Sequence, residues 1–89
     1  MLTLRLEHQA DKFLAKLPPK QAGQIGRKLE GLLTNPFPSD SKQLKGSSYR
    51  GTDIGEYRII YRIEGNIFRV PLIGKRNDDE VYRKLKRME

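Results

Sequence analysis

The chain has no cysteine, no tryptophan and a single histidine among its 89 residues. Without cysteine there is no disulfide framework and no thiolate metal site, which fits a reducing compartment. One histidine, His8, excludes a two-histidine acid–base pair. At the junction of a strand and a helix it reads as a surface or capping residue. No apolar run approaches the roughly 20 residues of a membrane span, and no signal peptide is legible at Met1-Leu2-Thr3. The expectation is a cytoplasmic protein with no membrane partner. A phosphate-cradling glycine loop is also missing, because Gly46, Gly51 and Gly55 lack the strand–loop–helix context. Asp78, Asp79 and Glu80 could suggest a metal site, but the opening of a helix accounts for them more simply. No metal and no cofactor are expected.

What is abundant is positive charge. Lys and Arg number 18 against 11 Asp and Glu, for a net +7. Residues 1–41 hold six cations and four acids, whereas residues 42–89 hold twelve and seven. The excess sits in the second half. Nucleic acid or an acidic protein would be drawn to it. The length predicts a single domain over residues 1–89, with a modest core and marginal stability without a partner.

Leu2 to Glu7 alternates as a half-buried strand. Ala10, Phe13, Leu14 and Leu17 then fall on one face of a helix beginning at His8. Pro18-Pro19 ends it and opens a second helix, about Lys20 to Thr34, with Ala22, Ile25, Leu29, Leu32 and Leu33 as its stripe. Gly23, Gly26 and Gly31 each cost about 1 kcal/mol against Ala in a helix, and predict close approach to a neighbour. Asn35-Pro36 stops the helix. Strands follow at about 44–53, 56–64 and 66–73. Gly65-Asn66 marks a tight hairpin. Pro71 requires an edge or a bulge, and Phe68, Val70 and Leu72 alternate beside it. A last helix starts at Asn77, with a capping-box pairing to Glu80 and a stripe of Val81, Leu85 and Met88. The order β-α-α-β-β-β-α predicts an α+β fold: a four-stranded antiparallel sheet with a helix hairpin on one face and a C-terminal helix at its border.

The strand from Tyr57 to Ile63 organises the rest. Tyr57, Ile59, Tyr61 and Ile63 share a face fit for a core. Arg58, Ile60 and Arg62 share the other, a cationic floor suited to a polyanion. RNA can be cut without a metal if a base takes the 2′-OH proton, cations stabilise the phosphoryl group, and an acid protonates the leaving 5′ oxygen. Arginine supplies a planar, permanently charged fork for phosphate. Tyrosine and lysine titrate near pH 10 unperturbed, and nearby cations lower both values. Histidine-free cleavage is therefore physically reasonable, provided something aligns the substrate. The bland alternatives are solvated arginines on a strand and a tyrosine at a core edge.

Leu44-Lys45-Gly46, Tyr49-Arg50, the run from Gly55 to Val70, Ile73-Gly74-Lys75-Arg76 and Val81-Tyr82, in that order, resemble a toxin of the RelE/ParE superfamily of toxin–antitoxin pairs. The resemblance implies the RelE-like microbial RNase toxin fold and, for the RelE branch, a ribosome-dependent endoribonuclease acting on mRNA. It implies Arg58 as a phosphate stabiliser, Arg76 beside the scissile phosphate and Tyr82 in base action or stacking. Arg50 stands where the best-studied branch carries a lysine. Thr52 replaces a second lysine, with Asp53 next to it. Arg50 cannot easily act as a base, so either Tyr82 or Lys45 takes that part, with Lys75 in reserve, or catalysis is slower or differently arranged. Arg62, Lys75, Arg83 and Lys84 are expected to bind RNA. An acidic antitoxin partner is implied, with operator DNA bound only through that complex. ParE-like relatives, similar to inhibitors of DNA gyrase, share the frame and leave a non-nuclease reading open, as does a plain RNA-binding module.

Overall fold

Proline, glycine and the two hydrophobic periods partition the described residues into eight elements. The computed structural model describes residues 1–77 and 80–88, with Glu80 and Met88 as backbone alone. The elements are β1 (Thr3–Leu6), α1 (His8–Ala15), α2 (Pro19–Thr34), β2 (Ser41–Gln43), β3 (Arg50–Ile54), β4 (Tyr57–Glu64), β5 (Ile67–Lys75) and α3 (Glu80–Met88). Pro19 takes the first turn of α2, where its missing N–H costs nothing. The expected capping box and the Met88 end of the α3 stripe rest on side chains outside the described residues, as does the acidic run at Asp78 and Asp79.

The sheet has five strands in the order β1-β5-β4-β3-β2, not four. It is mixed, not antiparallel, because β1 runs parallel to β5. The Thr3 N–H donates to the Asn66 carbonyl at 2.8 Å and the Glu7 N–H to that of Val70 at 3.0 Å. A parallel pair needs a long crossover, and alternation within a strand carries no information on pairing direction. The second correction lies in residues 44–53. A turn through Gly46, with φ +72°, divides that segment, and the strand before it begins at Ser41. β1 is an edge strand, and the expected half-burial is only partly met: Leu2 and Leu6 pack on the core, while Leu4 is 37% exposed.

Both faces of the sheet are covered. On one, Ala10 of α1 and Ile25, Leu29 and Leu32 of α2 close over Tyr57, Ile59, Tyr61, Phe68, Val70 and Ile73. Tyr61 stacks on Phe68 at 4.6 Å and donates its hydroxyl to the Pro36 carbonyl at 2.6 Å, so its burial leaves no polar group unmatched. On the other face, Val81 and Leu85 of α3 pack on Tyr49, Ile60 and Leu72. Helix α3 thus lies on this face and not at its border. Burial of each large apolar side chain there contributes about 1.5–3 kcal/mol.

One irregularity sorts the two faces. Between Ile60 and Arg62 the pairing with β5 shifts register, so two residues, Val70 and Pro71, stand opposite Tyr61. The expected bulge at Pro71 is therefore present. Its consequence is that Phe68, Val70 and Ile73 face the helix pair, while Leu72 crosses to the α3 side. The simple alternation of Phe68, Val70 and Leu72 fails there because a bulge inserts one residue into one strand only.

The glycines of α2 are not points of close approach. A Cβ added at Gly26 or Gly31 meets nothing within 4 Å, and at Gly23 only the Arg27 guanidinium at 3.6 Å. The close approach is at Gly74, where a Cβ would lie 2.2 Å from Val81 Cγ2. Gly74 is what lets α3 sit down on β5.

Candidate functional site

The register of β3, β4 and β5 assembles the site. Asp53 pairs with Arg58 across β3–β4, and Arg58 pairs with Gly74 across β4–β5. Because Gly74 has no side chain, α3 approaches and brings Tyr82 over Arg58. The Arg58 guanidinium lies 5.5 Å from the Tyr82 ring centroid and donates from Nη1 to the Tyr82 hydroxyl. Its other edge grips Asp53 in a fork, Nε to Oδ1 at 2.6 Å and Nη2 to Oδ2 at 3.0 Å. A hollow of about 270 Å³ opens beside them, bounded by Lys42, Leu44, Gly51, Asp53, Arg58 and Tyr82.

The electrostatics follow from the fork. Hydrogen bonding from Arg58 holds the Asp53 carboxyl below its ordinary value, against a smaller upward push from burial, with the charges of Arg58, Arg76 and Lys42 adding to the fall. The same fork, with Tyr82 beside it, raises Arg58. Arg58 is thus a permanent cation whose bidentate face already holds an anion. A carboxylate and a phosphate offer the same pair of acceptor oxygens to such a fork.

Two of the expected residues meet here and a third stands near. Arg58 and Tyr82 touch, and Arg76 stands at the same end of the sheet. Arg76 is exposed, its N–H is bonded to the Glu56 carbonyl at 2.9 Å, and its charge reaches Asp53. The others do not join them. Arg50 pairs with Tyr61 and so faces the helix pair; it donates to Ser41 Oγ at 2.8 Å and lies 5.0 Å over Phe37. Lys45 is exposed in the turn after β2 and does not line the hollow. Arg62 is on the site face but further along, stacked 4.7 Å over Tyr49 and bonded to Ser48 and Glu64. Glu64 in turn pairs with Arg69 at 3.2 Å, and Arg69 with Glu7 at 3.2 Å. Lys75 and Lys84 line a different groove, between α1 and α3, and Arg83 is exposed on α3.

Sequence reasoning missed Lys42 and undervalued Asp53. Lys42 pairs with Gly51 and therefore shares its face with Asp53 and Arg58. Starting the strand at Ser41 would have exposed that alternation. Asp53 was visible as a cross-strand partner once the turn at Gly55, with φ +58°, fixed the β3–β4 register.

The model for the ParE toxin of type II toxin–antitoxin systems (parDE) matches residues 4–80. The chain belongs to this family. This toxin shares the RelE-like fold within the RelE/ParE superfamily. A mutant of the Escherichia coli toxin RelE in the free state superposes with a TM-score of 0.82 at 24% identity, covering 99% of this chain and 98% of that one. The isolated E. coli RelE toxin gives 0.76 at 23% identity, over 100% of both chains. The RelBE2 toxin–antitoxin complex of Mycobacterium tuberculosis gives 0.73 at 24% identity, over 84% of this chain and 98% of that one. At such identity the likeness is one of fold. No curated protein sequence matches the toxin. Among the described residues no helix is long and apolar enough to cross a membrane, and no group of three or more His, Cys, Asp or Glu stands in a metal-holding arrangement.

Proposed function

We propose that this toxin is a metal-independent endoribonuclease that cuts mRNA held in the ribosome, and so arrests translation. The observation that carries the reading is the meeting of Arg58 and Tyr82 at the rim of one hollow, with Lys42 beside them and Arg76 within electrostatic reach. In the proposed reaction the 2′ oxygen loses its proton to a base and bonds to phosphorus. The bond to the 5′ oxygen breaks, and that oxygen takes a proton from an acid. Arg58 and Arg76 stabilise the charge growing on the phosphoryl oxygens, an effect worth about 3–4 kcal/mol per well-placed donor. The phosphate takes over the fork that Asp53 occupies in the free toxin. Tyr82 and Lys42 are the proton-transfer candidates, and Tyr82 can also stack on a base. The ribosome supplies the alignment that so small a surface lacks.

The partner in this reading is an acidic antitoxin encoded beside the toxin. Toxin–antitoxin complexes among the structural relatives support it. Operator DNA would be bound only by that complex.

A second reading rests on the ParE family match itself and on the engagement of Arg58 by Asp53. In it the toxin inhibits DNA gyrase and cuts no RNA. Expression in cells separates the two. Cut transcripts with rapid loss of protein synthesis, both abolished by Arg76→Ala, support the ribonuclease. Intact transcripts with a DNA-damage response support the gyrase inhibitor. Undiminished cleavage in Arg76→Ala removes Arg76 from the mechanism.

A further inference from the structure

Strand β5 is longer than the strand that covers it. Its pairing with β1 ends at Leu6 opposite Val70, leaving residues 71–75 with β4 on one side and, among the described residues, no strand on the other. The direction of the free backbone groups follows from one hydrogen bond. The Arg76 N–H donates to the Glu56 carbonyl, so 56 and 76 form a hydrogen-bonded pair. Antiparallel pairs alternate, so Arg58–Gly74 and Ile60–Leu72 are hydrogen-bonded pairs as well, whereas Tyr57–Lys75 and Ile59–Ile73 are not. The N–H and C=O of Ile73 and Lys75 therefore point away from β4. Among the described residues neither has a backbone partner there.

This open edge floors a groove between α1 and α3. Two adjoining hollows, of about 260 and 150 Å³, share Phe13, Leu72, Ile73 and Lys84 and form one channel. Its rim carries Lys12 of α1, Lys16 just past the end of that helix, Lys75 of β5 and Lys84 of α3. Among the described residues Lys12, Lys16 and Lys75 have no carboxylate partner. Lysines around an open edge repel a second copy of a chain with net charge +7. They attract an acidic segment.

We propose that this groove takes an extended acidic segment of the antitoxin as an added strand on the Ile73–Lys75 edge of β5, with its carboxylates against Lys12, Lys16 and Lys75. A strand supplies the alternating donors and acceptors that the edge offers, and its side chains alternate between the α1 and α3 walls. RNA fits less well. Its phosphodiester backbone has acceptors but no N–H donors, and among the described residues that line the groove there is no arginine. The inference rests on the proposal of an acidic antitoxin and is independent of ribonuclease activity.

The test uses the whole toxin and amide hydrogen exchange. The probes are an eight-residue peptide alternating Glu and Val, the same peptide N-methylated at alternate residues, a Lys–Val counterpart, and a short single-stranded RNA. The Glu–Val peptide should slow exchange at Ile73 and Lys75 by about tenfold or more. That protection should disappear with the N-methylated peptide and in Lys12→Glu/Lys16→Glu toxin. The proposal is overturned if the Glu–Val peptide leaves both amides unprotected, if the Lys–Val peptide protects them equally, or if RNA protects them instead. Transcript cleavage is assayed in parallel on the unsubstituted toxin. Absent cleavage with protected amides sinks the ribonuclease reading and spares this one, and the converse result does the opposite.

Discussion

At the scale of single residues the site turns on one pair. Asp53 and Arg58 face each other across β3–β4, and a charged cross-strand pair of this kind contributes about 0.5–1 kcal/mol. The pair also makes stability depend on acid. The folded Asp53 carboxyl titrates below its unfolded value near 3.8, mainly through the Arg58 hydrogen bonds. Its contribution is therefore fully present above the unfolded value and is lost as pH falls through the lower, folded one. Glu64 behaves alike, with Arg62 as the first cause. Denaturant midpoints should thus decline below about pH 4, and Asp53→Asn should flatten part of that decline. Unfolding curves between pH 7 and pH 2 provide the check; an unchanged acid limb in the variant would show that the fork contributes nothing. The same substitution frees the Arg58 fork, so inorganic phosphate should bind several-fold more tightly, measurable by calorimetry. Asp53 was legible in the sequence as the neighbour of Thr52. Its pairing with Arg58 was not, because that depends on where the β3–β4 turn falls.

At the scale of elements the glycines separate into two kinds. Gly26 and Gly31 have open space where a Cβ would go, so changing each to alanine should stabilise α2 by about 0.5–1 kcal/mol. Chemical denaturation of the two variants tests this, and a lowered midpoint would mean a neighbour is closer than it stands here. Gly74 behaves oppositely. Alanine there collides with Val81 and should cost about 1–3 kcal/mol, with α3 displaced and Tyr82 drawn off Arg58. Loss of the Tyr82 ring's influence on the Arg58 Nε resonance would report that displacement. If stability fell and the resonance stayed, α3 would be shown to accommodate the methyl in place. Helix periodicity in the sequence was enough to find α1, α2 and the Val81–Leu85 stripe. It could not say which glycine was a contact, because spacing along a helix records its own faces and nothing of what lies opposite.

At the scale of the whole molecule, the layers were only half legible. Tyr57, Ile59, Tyr61 and Ile63 were readable as one buried row, and Arg58 with Arg62 as the reverse side. That the reverse side is itself covered, by α3 on Ile60 and Leu72, depended on an extra residue at Val70–Pro71 that alternation alone does not disclose. The charge pattern also changes meaning in three dimensions. Lys86 and Arg87 at the end of α3 are exposed, and RNA affinity should fall with salt at a slope of about 0.7 per phosphate contacted. Replacing Lys86 and Arg87 by alanine should lower that slope by about two contacts' worth, and Arg58→Ala by about one. Fluorescence anisotropy with a short RNA across a salt series decides it, and equal slopes for the two variants would refute the distinction. Around the hollow, the positive charges of Arg58 and Lys42 stand against the negative charges of Asp53 and Asp40. Asp40 is already paired with Lys28 at 2.7 Å and Asp53 with Arg58, so both carboxylates are engaged, in a protein that carries +7 as a whole. Attraction at a distance and chemistry at contact are thus assigned to different parts of the surface. A polyanion would be gathered by the periphery and then admitted to a chamber whose arginine fork is already occupied, where only a group able to displace the resident carboxylate gains a hold.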